Sequence, residues 1–303
     1  MEQTSTETNL LRILSNQLAD AVERVAPALV LVDGRSRQPA SGLVFADDLV
    51  LTANHVLERE ENLSIETHDK RTLTARLVGR DPSSDLAVLR VANLGLTAPT
   101  RADEPVRVGQ LILAVGRSSS EGPMASSGIV SAIGGPLRAG HGAVLESYIR
   151  TDATPYPGFS GGPLIDTQGA VSGMLTTGLI NGIALAIPVS IAWNVAQTLA
   201  QQGYVKRGYL GISSQIVQIP TFQRTGSMQD HGLLIVKVDD NSPAQKGGML
   251  MGDILVGIDG HAVSDSEDLH ALLSSDRVGK TVPVDVIRGN QSVTLQMTIG
   301  QRG

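Results

Sequence analysis

The chain of 303 residues contains no cysteine. That excludes disulfide staples, thiol catalysis and cysteine-built zinc sites, and leaves the compartment open. Aromatic residues make up only 3%, with a single Trp, so any core must rest on Val, Leu, Ile and Ala. Lys and Arg number 24 against 30 Asp and Glu, a net charge of −6, and no basic run is interleaved with aromatics. Nucleic acid and anionic membrane surfaces are therefore excluded as main partners. Also missing at the start is a basic segment followed by an apolar one: Met1 to Asn9 is polar and acidic. Read as the native start, Met1 predicts a cytoplasmic protein, with the cell envelope or periplasm as the alternative if the natural chain begins earlier. Charge is absent altogether from Gln168 to Val205. Pro188 divides that run into a strand-like Gly182–Ile187 and a helix with Ile191, Val195 and Leu199 on one face, so no membrane span is expected.

What the chain does contain is periodic. Leu10, Leu14, Leu18, Val22 and Val25 recur at helical spacing, with Asn9 as the expected N-cap and Pro27 as the stop. From Ala28 to Pro188 short apolar segments follow one another, broken by Gly, Asp, Asn and Pro: Leu29–Val32, Gly42–Phe45, Leu49–Thr52, Leu63–Glu66, Leu73–Val78, Leu86–Val91, Leu111–Val115, Ser127–Ile133 and Val144–Arg150. Many short strands without helices between them imply a barrel or sandwich. After Gly203 strands and helices mix, and the length suits two domains, 1–203 and 204–303.

Three motifs carry chemistry. Thr52-Ala53-Asn54-His55-Val56, then Asp81-Pro82-Ser83-Ser84-Asp85-Leu86, then Gly158-Phe159-Ser160-Gly161-Gly162-Pro163 place a His, an Asp and a Ser in order. A serine hydroxyl attacks well only when an imidazole takes its proton, and the imidazole needs a carboxylate to hold its tautomer. His55 is assigned as base, Asp85 as its orienter and Ser160 as nucleophile. The oxyanion hole is assigned to the loop Gly158, Phe159, Ser160, with the Gly158 and Ser160 amides as its donors. Gly158-x-Ser160-x-Gly162 also fits the nucleophile elbow of α/β-hydrolases, which would make the protein an esterase. That pattern needs a helix after the serine and the order Ser, Asp, His, whereas a hairpin follows Ser160 here.

These motifs, with Thr151-Asp152-Ala153 and Arg207-Gly208-Tyr209-Leu210-Gly211-Ile212, resemble the HtrA (DegP/DegS-type) family of serine proteases over nearly the whole chain. The resemblance implies a mainly β protein, a chymotrypsin-like double β-barrel followed by an α+β PDZ domain. It implies an ATP-independent endopeptidase of protein quality control, stress response or regulated proteolysis, without metal or other cofactor. Its substrates would be unfolded or damaged proteins. Peptide C-termini would be received at the PDZ groove by Tyr209, Leu210, Gly211 and Ile212, with Leu269 and Leu272 walling the side-chain pocket. Peptide binding there would gate the protease. A homo-oligomer, the family trimer, is also implied, although residues 1–25 contain none of the aromatics that commonly build it.

The chain departs from the family where Phe159 stands for the usual Asn or Asp and Tyr156 for a usual Asn. A loop so altered supports a second reading, a catalytically silent PDZ-bearing chaperone or adaptor. The specificity pocket is expected from Pro155, Tyr156, Thr176, Gly178 and Ile183, with no acidic residue among them, which points to cleavage after apolar residues.

Overall fold

The computed structural model describes every residue except 1, 2, 37, 120, 136, 140–142, 146, 181, 182, 206, 225–228, 274–276 and 303. The chain divides into two compact units, Met1–Val205 and Lys206–Gly303.

The first unit opens with α1 (Gln3–Val25), which begins well before the expected cap. Asn9 is therefore an interior helical residue. Ala21 and Val25 are buried on the barrels, whereas Leu10, Leu11 and Ile13 stand exposed. Six strands then close a barrel: β1 (Leu29–Asp33), β2 (Ala40–Ala46), β3 (Leu49–Ala53), β4 (Leu63–Glu66), β5 (Thr72–Asp81) and β6 (Leu86–Val91), in the order β1-β2-β3-β6-β5-β4. The run Val144–Arg150, expected as one strand, is two: after β7 (Leu111–Gly116) and β8 (Met124–Gly134), β9 (Leu137–Ala139) and β10 (Ala143–Leu145) form a separate hairpin. Only β11 (Tyr148–Thr151) joins the second barrel, with β12 (Pro163–Ile165), β13 (Val171–Ile180) and β14 (Ile183–Pro188), closed as β11-β14-β13-β12-β7-β8. Closure leaves no open sheet edge. Gly182, expected to start β14, lies outside the described residues.

Pro188 ends β14 and precedes α2 (Val189–Gln202), which stops at Gly203 in the left-handed conformation, φ 79°. Ala192, Trp193, Ala196 and Leu199 form its buried face, laid against β5, β6 and β13. The uncharged run is thus two neighbouring barrel strands, β13 and β14, and a packed helix. Among the described residues no helix is long and apolar enough to cross a membrane.

The second unit builds a sheet from β16 (Ile212–Gln218), β17 (His231–Val238), β18 (Ile254–Ile258), β20 (Thr281–Arg288) and β21 (Gln291–Thr298), in that order, with β19 (His261–Ala262) on β18. A short ladder pairs β15 (Arg207–Tyr209) with β22 (Gly300–Arg302). Among the described residues two α-helices, α3 (Pro243–Lys246) and α4 (Ser266–Leu272), accompany the sheet, and Ser242 caps α3 by accepting the Gln245 amide at 3.1 Å. Leu210, Leu233, Ile235, Leu255, Val284 and Met297 anchor its core.

Candidate active site

β3 leaves the first barrel at Ala53, and a single 3-10 turn, Asn54–Val56, presents His55. The register of β3 against β6 sets Ala53 opposite Leu86, so the residue before Leu86 stands beside the turn. That residue is Asp85. Its backbone takes φ 55°, a left-handed conformation that Asp tolerates better than most residues, and its carbonyl accepts the Asn54 amide at 2.9 Å. The carboxylate faces back: Oδ1 accepts the His55 amide at 2.8 Å and Oδ2 lies 2.6 Å from His55 Nδ1. An imidazole that donates from Nδ1 to this carboxylate leaves its Nε2 lone pair to accept a hydroxyl proton. Asp85 is buried and the imidazole partly exposed, an arrangement that orients the ring and keeps its far nitrogen reachable.

Two residues expected in the specificity pocket stand directly against this pair. Thr176, buried, donates its hydroxyl to Asp85 Oδ2. Gly178 passes so close that a Cβ would lie 2.4 Å from His55 Nδ1. Any side chain there would displace the ring. Of the other pocket candidates, Pro155 and Ile183 line one cavity of about 310 Å³, together with Arg150, Asp152 and Thr154, while Tyr156 stands outside it. The cavity thus does include an acidic residue, Asp152, whose Oδ1 accepts the Ile129 amide at 2.7 Å.

Ser160 sits on the loop between β11 and β12, nearly buried, with Oγ 3.2 Å from Thr177 Oγ1. Among the described residues no hydrogen bond joins Ser160 to His55. Around it the peptide groups alternate between engaged and free. The Phe159 amide donates to Tyr156 O at 3.0 Å and the Gly161 amide to Leu175 O at 2.9 Å. The Gly158 and Ser160 amides have no acceptor among the described residues. Gly158 adopts φ 89°, a backbone that suits glycine. Phe159 is therefore not a donor to an oxyanion, because its N–H is already committed. Its ring is 1% exposed and sits in the second barrel's core with Ile112, Ala114, Val130, Leu164 and Leu175, edge-on to Tyr156 at 5.4 Å. The aromatic that replaces the family's usual polar residue holds the loop by apolar packing.

Among the described residues no group of three or more His, Cys, Asp or Glu side chains is arranged to hold a metal ion. In the second unit, Gly211 adopts φ 79°, and its carbonyl accepts the Asp239 amide at 2.8 Å while Leu210 O accepts the Ala244 amide at 2.9 Å. Both carbonyls are turned inward. The Leu210 and Gly211 amides have no acceptor among the described residues, which leaves two adjacent donors at the start of β16. The Leu210 and Leu269 side chains are core residues, whereas Ile212 and Leu272 are only partly buried against that core.

Residues 40–174 match the trypsin-like peptidase domain and residues 208–299 the PDZ domain. A serine endoprotease from Yersinia pestis of known crystal structure is 31% identical, with a TM-score of 0.77, and the match covers 95% of this chain and 98% of that one. The HtrA-type protease AlgW, solved with a tripeptide, is 32% identical with a TM-score of 0.78, over 94% and 97% of the two chains. The chain belongs to the HtrA family of serine endoproteases.

A curated HtrA relative, the probable periplasmic serine endoprotease DegP-like of Ectopseudomonas mendocina, is 33% identical over 88% of this chain. The chain spans 58% of that relative's length. The relatives from Pseudomonas fulva and Rhizobium meliloti are likewise named periplasmic, which overturns the expectation of a cytoplasmic location drawn from the polar start.

The sequence motifs named the His, Asp and Ser but not Ser41, Thr176 or Thr177 as their neighbours. Ser41 and Thr176 are polar residues buried inside apolar strands, and that misfit was the available signal.

Proposed function

We propose that this HtrA chain hydrolyses peptide bonds of unfolded or damaged proteins without ATP, with Ser160 as nucleophile, His55 as general base, Asp85 as orienter, and the Gly158 and Ser160 amides as oxyanion hole. The observation that carries the reading is the pairing of a carboxylate-held imidazole, 2.6 Å from Asp85 Oδ2, with two unengaged amides on the serine loop. Attack on a carbonyl needs both at once: a base for the hydroxyl proton and donors for the charge that develops on oxygen. The preferred residue before the cut is apolar, since Pro155 and Ile183 line the candidate pocket and the Asp152 carboxylate already accepts an amide. Peptide C-termini bind at the Leu210 and Gly211 amides and pair with β16, and this binding raises protease activity. The relatives' names favour action in the cell envelope.

Casein cleavage and fluorophosphonate labelling of wild type and Ser160→Ala, with and without peptides ending in apolar residues, test the whole reading. Cleavage and labelling that vanish in Ser160→Ala, with stimulation by peptide, are the expected results. Peptide binding with no labelling under any condition makes the chain a silent binder instead. Preferred cutting after Arg or Lys in a peptide library refutes the apolar pocket.

A further inference from the structure

We propose that Ser41 is a positioning residue whose hydroxyl holds the oxyanion loop in its working form. The inference rests on the reading of Ser160 as nucleophile.

Ser41 lies in β2, fully buried, and belongs to the first barrel, whereas the serine loop belongs to the second. It grips that loop twice. Its hydroxyl donates to Gly158 O at 2.7 Å, and its amide donates to Ser160 O at 3.1 Å. The same hydroxyl accepts the Arg117 amide at 2.8 Å, which leaves its own proton for Gly158 O. Ser41 is itself fixed, since its carbonyl accepts the Thr52 hydroxyl at 2.7 Å.

A peptide group is planar, so a carbonyl held on one side sends the following amide to the other. Gly158 O pinned by Ser41 sends the Phe159 amide to Tyr156 O, and Ser160 O pinned by Ser41 sends the Gly161 amide to Leu175 O. What remains unpinned is the pair of alternate amides, Gly158 and Ser160, that the reaction needs. Glycine at 158 would permit the neighbouring peptide to rotate, and the conformation it does adopt, φ 89°, is held by the Ser41 hydroxyl on the carbonyl and by Tyr156 O on the following amide. Without that hydroxyl, Gly158 O and the Arg117 amide lose their partner in a place where the serine between them is inaccessible to water. Rotation of the 158–159 peptide is the available relief, and it carries the flanking amides away from the oxyanion position.

The test compares wild type, Ser41→Ala, Ser41→Cys, Ser172→Ala and Ser160→Ala in the full chain, using fluorescein-labelled casein for kcat and KM and the fluorophosphonate phosphonylation rate of Ser160. Trp193 fluorescence checks that each variant is folded at the assay temperature. A misplaced oxyanion donor acts on the transition state alone, so Ser41→Ala is expected to lower kcat about 10- to 100-fold with KM almost unchanged, and to slow phosphonylation by a similar factor. The thiol of Ser41→Cys should recover part of the loss. Ser172→Ala removes a buried hydroxyl of β13 that has no hydrogen-bond partner among the described residues, and should stay near the wild-type rate. The proposal is overturned if Ser41→Ala keeps kcat within about threefold of wild type, if its loss falls in KM, if Ser172→Ala loses as much, or if neither Ser41 variant folds. Activity that persists in Ser160→Ala, or none in wild type, sinks the nucleophile assignment instead, and the proposal with it.

Discussion

Truncating Phe159 to alanine asks whether an aromatic ring, rather than a polar side chain, anchors the loop that carries the nucleophile. The ring is 1% exposed among Ile112, Ala114, Val130, Leu164 and Leu175, and it fits so closely under Gly116 that a Cβ there would lie 2.5 Å from its Cδ1. A buried Phe→Ala change costs about 3–5 kcal/mol, transfer and cavity together. Each kcal/mol lowers the midpoint by roughly 2–4 °C in a unit of this size, so the melt of the unit Met1–Val205 should fall by about 10 °C. The assay is built in: the chain has one tryptophan, Trp193, buried on α2 against Phe45, so its fluorescence reports this unit and not the PDZ unit. Phe159→Leu, which keeps most of the volume, should cost no more than about 1.5 kcal/mol. At temperatures where both variants remain folded, Phe159→Ala should be the less active, because the cavity opens directly beside Ser160. A shift below about 3 °C for Phe159→Ala would mean that the ring contributes less than a core residue must, and the anchoring argument would be wrong.

Three further outcomes are expected. Thr177→Ala frees the Ser160 hydroxyl from its 3.2 Å partner and should raise basal cleavage about two- to tenfold, the worth of one neutral hydrogen bond; an unchanged or lower rate would show that Thr177 does not compete with His55 for the nucleophile. Gly211→Ala would bring a Cβ within 2.3 Å of Ser242 Cβ at a φ of 79°, so titration with a fluorescent apolar C-terminal peptide should show binding weakened at least about tenfold, and wild-type affinity would remove Gly211 from the groove. The Thr67 hydroxyl, and then the Arg71 guanidinium, hold the Asp69 carboxyl down to about 2 from an ordinary 3.8. The native turn therefore binds its proton later than the unfolded chain: the stabilisation is fully present above pH 3.8 and disappears as pH falls towards 2, and an Asp69 resonance titrating near 3.8 in the folded protein would contradict it.

Much of this chain is legible without coordinates, for local reasons. Short apolar runs bounded by turn residues mark strands such as Leu86–Val91, whose ends agree with β6. Proline at 188 and glycine at 203 bound α2 because one cannot continue a strand ladder into a helix and the other accepts the left-handed cap. His55, Asp85 and Ser160 stand out because they sit in short motifs whose residue types the chemistry requires. Where local rules compete, the reading slips: Asn9 looked like a cap but the helix runs past it, and Val144–Arg150, expected as one strand, breaks into strands of two different sheets.

Local sequence by itself determined the strand-rich class, the two-unit division and the choice of the three side chains proposed as the triad, since each depends on periodicity or residue type within a few positions. Tertiary structure alone decided which groups surround them. Ser41 and Ser160 are 119 positions apart, Thr176 and Asp85 are 91, and only the closure of two barrels side by side brings each pair together. A hydrogen bond across such a distance leaves no local trace beyond a polar residue in an apolar strand, because the sequence records composition at each end and the fold supplies the partner.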